Sequence, residues 1–312
     1  MKPNKPKKIL LTIDGSDRSF ETVRYVSRIP PFSKMQVVLF YVFRGIPQNF
    51  SDMGKGPQFR QSVRSARIWE SQQKEALKEH SKMVKQILLD AGFPTEAVSV
   101  KICQRKKGIA RDIIKEAHEG YDFVVVGRKS TGKIKELALG SVATKLVEKV
   151  SFTTLVVVGK SVEPGKVLLA LDGSKGSMQA VDFVCATLGD CDACETELVH
   201  VIREDHSFDR DGQQLVLKDG GIEDVKKSII PFFDEAQSLL IKSGFESDQI
   251  SSQIITDAFS RAGAIVQEAE KKDYGTIVVA RKGLSRVRDF FIGRVSSKVI
   301  QLARKKAVWI VT

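Results

Sequence analysis

Two stretches of this sequence carry residue types suited to holding an anion. Gly127-Arg-Lys-Ser-Thr-Gly-Lys-Ile-Lys-Glu-Leu-Ala-Leu-Gly140-Ser141 follows the apolar run Phe123–Val126 and leads into the helical pattern Val142–Lys149. Glycines let the backbone approach an anion, and the open N–H groups of a helix start point at it. The layout recurs as Ala280-Arg-Lys-Gly283, continuing to Gly293-Arg294. Each half also has an Asp-Gly-Ser after its first apolar run, Asp14-Gly15-Ser16 and Asp172-Gly173-Ser174. Such an aspartate either accepts a hydrogen bond from a base or sugar, or belongs to an ordinary strand-to-helix turn. In the second case Gly15 makes the turn and Ser16 or Asp17 caps the helix. Arg128, Lys129, Lys133 and Lys135 crowd the first loop, and Arg281, Lys282, Arg286 and Arg288 the second. Beside a helix start these cations suit a polyphosphate; the other reading is a solvated basic loop.

The elements that must position these residues follow from hydrophobic patterning. Short β-branched runs at Ile9–Ile13, Val37–Val42, Val98–Ile102, Phe123–Val126 and Leu155–Val158 alternate with helical patterns near Phe20–Arg28, Trp69–Ala91, Ile109–Glu119 and Ser141–Lys149. Runs this continuously apolar are strands covered on both faces, and their alternation with helices predicts an open, doubly wound parallel sheet. The second half repeats the order with strands at Val167–Leu171, Glu197–Ile202, Ile250–Ile255, Thr276–Val279 and Ala307–Val311. Lys8–Ser16 answers to Lys166–Ser174, Ala91-Gly-Phe93 to Ser243-Gly-Phe245, and Asp122–Gly127 to Gly275–Ala280. Two copies a domain long make a duplication, not a solenoid. Ser161-Val-Glu-Pro-Gly165 marks the join, so the expected domains are 1–160 and 161–312. Residues 44–66 and 203–224 read as long polar loops at the carboxyl ends of the strands, where open α/β sheets bind ligands. Phe50 and Trp69 are expected to pack in the core or a lid, with ligand contact the alternative.

Composition narrows the class. The 312 residues suit two domains, and 42% hydrophobic with 28% charged residues is ordinary for a globular protein. No apolar run approaches the ~20 residues of a membrane span, and the run after the basic N-terminus is too short for a signal peptide, so a cytoplasmic protein is expected. A net charge of +12 fits anionic partners or a solvated basic surface. No reader motif for nucleic acid accompanies it. Four cysteines form no disulfide framework, and Cys191-Asp-Ala-Cys194 lacks the second ligand pair of a zinc site, so it reads as a surface turn. No metal site is expected. There is no P-loop, and His80, His118, His200 and His206 share no sequence context that makes a catalytic pair.

An Asp on the first strand, then Gly-x2-Gly-x9-Gly-Ser after the fourth, resembles the nucleotide-binding universal stress protein family across both halves. Asp14, Gly127, Ser130, Gly140 and Ser141 carry the pattern in the first half; Asp172, Ala280, Gly283, Gly293 and Arg294 carry it in the second. The strand-two signature stands as Leu198-Val-His200-Val201 and, blurred, as Leu39-Phe-Tyr41-Val42. The resemblance implies a Rossmann-like adenine-nucleotide fold in each half, two five-stranded sheets arranged as an intrachain pseudo-dimer through Leu155–Val158 and Ala307–Val311. It implies base and ribose near Asp14 and Val42. Ribose and phosphates would lie on Gly127, Arg128, Lys129, Ser130, Gly140, Ser141 and Val142. The second-half equivalents are Asp172, Val201, Ala280, Gly283, Gly293 and Arg294.

The departures divide the halves. Ser130 replaces a glycine in the first, with Gly132 nearby. Ala280 adds a Cβ in the second, and Arg294 replaces a hydroxyl residue. Arg294 could fork onto phosphate oxygens or fill their pocket and pair with a carboxylate. The expectation is therefore ATP or a related adenine nucleotide, with or without Mg, in the first half and a degenerate second site. The resemblance implies a stress-response binding module in place of a conventional enzyme, with slow ATP hydrolysis left open. The alternative is a pseudo-dimeric scaffold for an unknown protein partner that binds no nucleotide. A homodimer of whole chains is left open.

Overall fold

Strand and helix alternate as the hydrophobic pattern requires, and the five strands repeated in each half enter one sheet. A computed structural model describes residues 7–46, 60–128, 139–159, 164–189, 191–203, 207–208, 214–215, 220–283 and 292–312. The first half runs β1 (Lys8–Ile13), α1 (Asp17–Ser27), β2 (Gln36–Phe43), α2 (Arg60–Asp90), β3 (Val98–Gln104), α3 (Ile109–Ala117), β4 (Phe123–Gly127), α4 (Ser141–Lys149) and β5 (Thr154–Val158). The second runs β6 (Lys166–Ala170), α5 (Lys175–Leu188), β7 (Glu195–Arg203), a short pair β8 (Ser207–Phe208) and β9 (Gln214–Leu215), then α6 (Gly220–Lys242). It closes with β10 (Ile250–Ala258), α7 (Arg261–Lys271), β11 (Thr276–Ala280), α8 (Arg294–Leu302) and β12 (Ala307–Val311).

Within each half the order is the same, β3-β2-β1-β4-β5 and β10-β7-β6-β11-β12, with all neighbours parallel. The halves join where β5 meets β12 antiparallel, Val156 opposite Trp309, giving one ten-stranded sheet. An exposed strand edge invites pairing, and here each half's last edge satisfies the other's. The two repeats thus form an intrachain pseudo-dimer.

Side-chain alternation along the strands sorts two cores. Ile9, Leu11 and Ile13 of β1 pack with α1, α2, α5 and α6 on one face; Leu10 packs with α3, α4, α7 and α8 on the other. The seam is apolar and hydrogen-bonded. Trp309 is fully buried among Phe32, Phe123 and Phe183, and its Nε1 donates to the Tyr25 hydroxyl at 2.8 Å, itself 2.8 Å from Thr276 Oγ1.

Three local expectations change. Helix α2 begins at Arg60, nine residues before Trp69, and α6 at Gly220, so both polar loops are shorter than their composition suggests. Residues 60–68 contain no Gly or Pro and have helix-compatible side chains, but no apolar face that sequence periodicity could detect. Trp69 is 47% exposed, outside the core, and Phe50 lies outside the described residues. The turn Cys191–Cys194 exposes Asp192 and Ala193 as expected, but both cysteines are buried and their sulfurs are bonded to each other.

Candidate functional site

The strand order reverses between β1 and β4, and again between β6 and β11, so a crevice opens at the carboxyl ends of those strands. Asp14 follows β1 directly, and Asp172 follows β6 after Leu171. Gly15 and Gly173 then turn the chain at φ +78° and +73°, a region that penalises other residues. Asp14 is exposed, and its Oδ1 accepts from the Ser16 amide (3.0 Å) and hydroxyl (2.6 Å). Asp172 accepts the Ser174 amide at 3.0 Å, while the Ser174 hydroxyl caps α5 through the Ser177 amide at 3.1 Å. Only the second half therefore uses its serine as a side-chain cap.

In the second half the expected residues converge. Asp172, Val201, Ala280, Gly283, Gly293 and Arg294 all line one cavity of about 430 Å³, within the range of small-molecule sites. Close packing explains one of the glycines. A Cβ on Gly283 would lie 2.2 Å from Asp172 Oδ2, whereas one on Gly293 would meet only ordinary contacts, 3.9 Å from the Gly283 amide nitrogen. The loop backbone thus rests against the aspartate and the start of α8. Arg294 occupies the first turn of that helix, and Ser296 donates to the Ala280 carbonyl at 2.7 Å. Among the described residues, no ion pair is formed by Arg294.

Ala280 is accommodated by its helix neighbour. In the first half a Cβ on Gly127 would stand 2.5 Å from Thr22 Oγ1. The repeat places Ala180 where the first half has Thr22, since Asp14 aligns with Asp172 without a gap. The Ala280 methyl is turned toward α5, 3.4 Å from where a Cβ on Gly176 would be. Gly127 beside Thr22 in the first half and Ala280 beside Gly176 in the second are two packings of one strand end against its helix.

His200 and Arg261 are among the cavity residues that were not singled out from the sequence as site residues. His200 pairs in register beside Leu171, and its Nδ1 donates to the Leu171 carbonyl at 2.8 Å, leaving Nε2 as the acceptor of the neutral ring. Burial, then the charge of Arg261, holds its pKa below the usual value against the pull of the Leu171 carbonyl and Asp172. Arg261 opens α7 after the Ser260 cap and donates to the Val201 carbonyl at 3.3 Å. Its signal was a capped helix start at the carboxyl edge of the sheet. The cavity therefore has cations on two elements, a carboxylate and an imidazole acceptor on apolar walls. That combination suits an anionic ligand with a polar ring or sugar.

In the first half, β1, β2 and β4 bring Asp14, Val42 and Gly127 to one edge, with Val42 half-buried. Gly140 is the cap residue of α4, followed by exposed Ser141 and half-buried Val142. Lys129 and Ser130 lie outside the described residues, as do Gly132, Lys133, Lys135, Arg286 and Arg288. The Arg128 side chain is directed away from this edge. It is 9% exposed and donates to the Ile300 carbonyl of α8, across the seam. Arg281 is 2% exposed and donates to the Val150 (2.7 Å) and Glu148 (3.2 Å) carbonyls of α4. These two cations belong to the seam, so the guanidinium of neither adds to a phosphate-facing basic cluster.

The first half also has a polar group with no counterpart in the second. His80 of α2 lies between Ser19 Oγ and the Tyr41 hydroxyl, 3.1 Å from each, and burial lowers its pKa most strongly. The repeat puts Phe232 in its place.

Comparison with known proteins agrees with this architecture. The universal stress protein family model matches residues 5–158 and again 164–312. A universal stress protein from Archaeoglobus fulgidus DSM 4304 is 19% identical, with a TM-score of 0.61 over 98% of each chain. A Pseudomonas aeruginosa PAO1 protein described as functionally unknown is 14% identical, with a TM-score of 0.57 over 98% of this chain and 92% of its own. At these identities the two structures speak to the fold alone. No curated protein matches the chain.

Proposed function

The chain belongs to the universal stress protein family, and we propose that it is a nucleotide-binding stress-response module that takes ATP or a related adenine nucleotide. The observation that carries this reading is the convergence of Asp172, Val201, Ala280, Gly283, Gly293 and Arg294 on one cavity of about 430 Å³. In the second half Asp172 would accept from the ribose, the Gly283 and Gly293 backbone would lie along the phosphates, and Arg294 would fork onto their oxygens. Asp14, Val42, Gly127, Gly140, Ser141 and Val142 form the proposed first-half site, with Lys129 and Ser130 from the loop. Arg128 contributes its backbone there. Mg would enter with the phosphates. Among the described residues, no group of three His, Cys, Asp or Glu side chains could hold a metal ion.

The role fits a sensor more closely than an enzyme. Among the described residues His200 is the one imidazole at the second-half cavity, and its Nδ1 is occupied by the Leu171 carbonyl. We place the protein in the cytoplasm, with domains at 1–160 and 161–312; among the described residues no helix is long and apolar enough to cross a membrane. Calorimetric titration of the full chain with ATP, ADP, AMP and cAMP tests the reading, and absence of heat with all four defeats it. A second reading, a scaffold for a protein partner, is favoured by Arg294 in place of a hydroxyl residue. It gains if that titration is silent.

A further inference from the structure

The buried arginines at the seam do more than fasten it. Arg128 follows β4 and Arg281 follows β11, so each opens the glycine loop of its own half. Their main chains are fixed alike, Arg128 N–H donating to Val158 O at 3.0 Å and Arg281 N–H to Val311 O. Their side chains then cross in opposite directions. Arg128 of the first half holds Ile300 near the end of α8, and Arg281 of the second holds Glu148 and Val150 at the end of α4. The last carbonyls of a helix have no partner within it, and the negative end of the helix dipole favours a cation. Among the described residues, the side-chain partners of both guanidiniums are these backbone carbonyls, and each Nε is buried without a partner. Burial, with Arg304 nearby, lowers Arg128 to about 10. A buried guanidinium without a carboxylate is costly, yet the same arrangement is built at both copies.

The held helices are the ones whose other ends face the sites. Arg294 and Ser296, in the first turn of α8, line the second-half cavity. Ser141 and Val142 open α4 in the first half. From Ile300 to Arg294 is six residues of α-helix, about 9 Å of stiff rod at 1.5 Å per residue. A shift imposed at one end reaches the other.

Resting on the nucleotide reading above, we propose that Arg128 and Arg281 are crossed positioning residues. Each is anchored in one half's glycine loop and sets the anion-facing helix of the other half, so occupancy of one site alters affinity at the other. Phosphates bound beside Gly127 or Gly283 would bear on the adjoining arginine, and that arginine bears on the partner half's helix. By linkage the effect is reciprocal.

Photolabelling of the full chain with 8-azido-ATP, with peptide mass mapping of the label to each half, tests this. Arg128→Ala should weaken labelling of second-half peptides about five-fold or more, the lower range of measured site couplings. Arg281→Ala should do the same to first-half peptides. Arg128→Lys, which still offers one donor to Ile300, should recover part of the loss and covers the case in which the alanine variant fails to fold. Tyr25→Phe, a seam change that touches neither arginine, serves as the control for simple destabilisation and should leave labelling unchanged. Unchanged second-half labelling in both Arg128 variants overturns the proposal. So does a loss confined to the half that carries the substitution, or one that Tyr25→Phe reproduces. A parent protein that takes no label in either half overturns the nucleotide reading itself, and this proposal with it.

Discussion

Replacing Gly283 by alanine is a small change with a large expected effect, and the structure supplies its size. The new Cβ would stand 2.2 Å from Asp172 Oδ2, whereas carbon and oxygen normally approach to about 3.3 Å. Roughly 1 Å of separation must be found. The opposite carboxylate oxygen is tied to the Ser174 amide at 3.0 Å, so the aspartate cannot slide back and must rotate out of the cavity. A hydrogen bond to a charged group contributes about 1.5–3 kcal/mol, so loss of the Asp172 contact predicts roughly 10- to 100-fold weaker nucleotide binding at this site. Titration calorimetry on Gly283→Ala measures it, with circular dichroism to show an intact fold. The reasoning also fixes the double variant. Once Asp172→Ala has removed the carboxylate, adding Gly283→Ala should cost little more, because both act through one group. Full affinity in a folded Gly283→Ala protein, or additive losses in the double variant, would refute the argument.

Two further outcomes follow from the differences between the repeats. Gly127→Ala should destabilise the fold by about 1–3 kcal/mol through overpacking, since its Cβ meets Thr22 Oγ1 at 2.5 Å. Adding Thr22→Ala should return most of that stability in urea denaturation, because it copies the Ala280 and Ala180 pair; failure to recover would mean the clash lies elsewhere. His80→Phe, which copies Phe232, bears on acid stability. Burial depresses the folded-state pKa of His80 below the unfolded value of about 6.5. A depressed pKa means that the neutral ring's stabilising contribution is complete above pH ~6.5 and is lost as pH falls through the folded value. The parent should therefore be more stable than His80→Phe by about 1–3 kcal/mol at neutral pH, where the phenylalanine leaves the Tyr41 hydroxyl without its ring partner. That gap should narrow below pH 6.5 in parallel urea titrations, and a gap independent of pH would contradict the burial argument.

The repeat itself, read from Asp14 against Asp172 and from the strand runs, already contained the doubly wound parallel plan and the carboxyl-end position of the crevice. Buried parallel strands must be apolar throughout, which makes them legible without a structure. Leu155–Val158 and Ala307–Val311 were expected to pair, and they do, because two exposed edges in one chain satisfy each other. The six second-half positions came from the motif alone and line one cavity. Less was legible where contacts are distant in sequence. The first turns of α2 lack an apolar face, so periodicity hid them. His200 and Arg261 enter the cavity from β7 and α7, which only the sheet brings together.

What the sequence determined by itself is the duplicated α/β plan and the residues at its strand ends, because both rest on local chemistry and period. What only the tertiary structure decided is where those side chains go. Arg128 and Arg281 have the composition of a phosphate loop, yet their guanidiniums end at the carbonyls of the opposite half's helices. A cation beside a glycine loop and a cation capping a distant helix are the same letters in a sequence. The antiparallel closure of β5 on β12 carries each loop to the other half's helix end, and the open carbonyls found there draw the side chain inward.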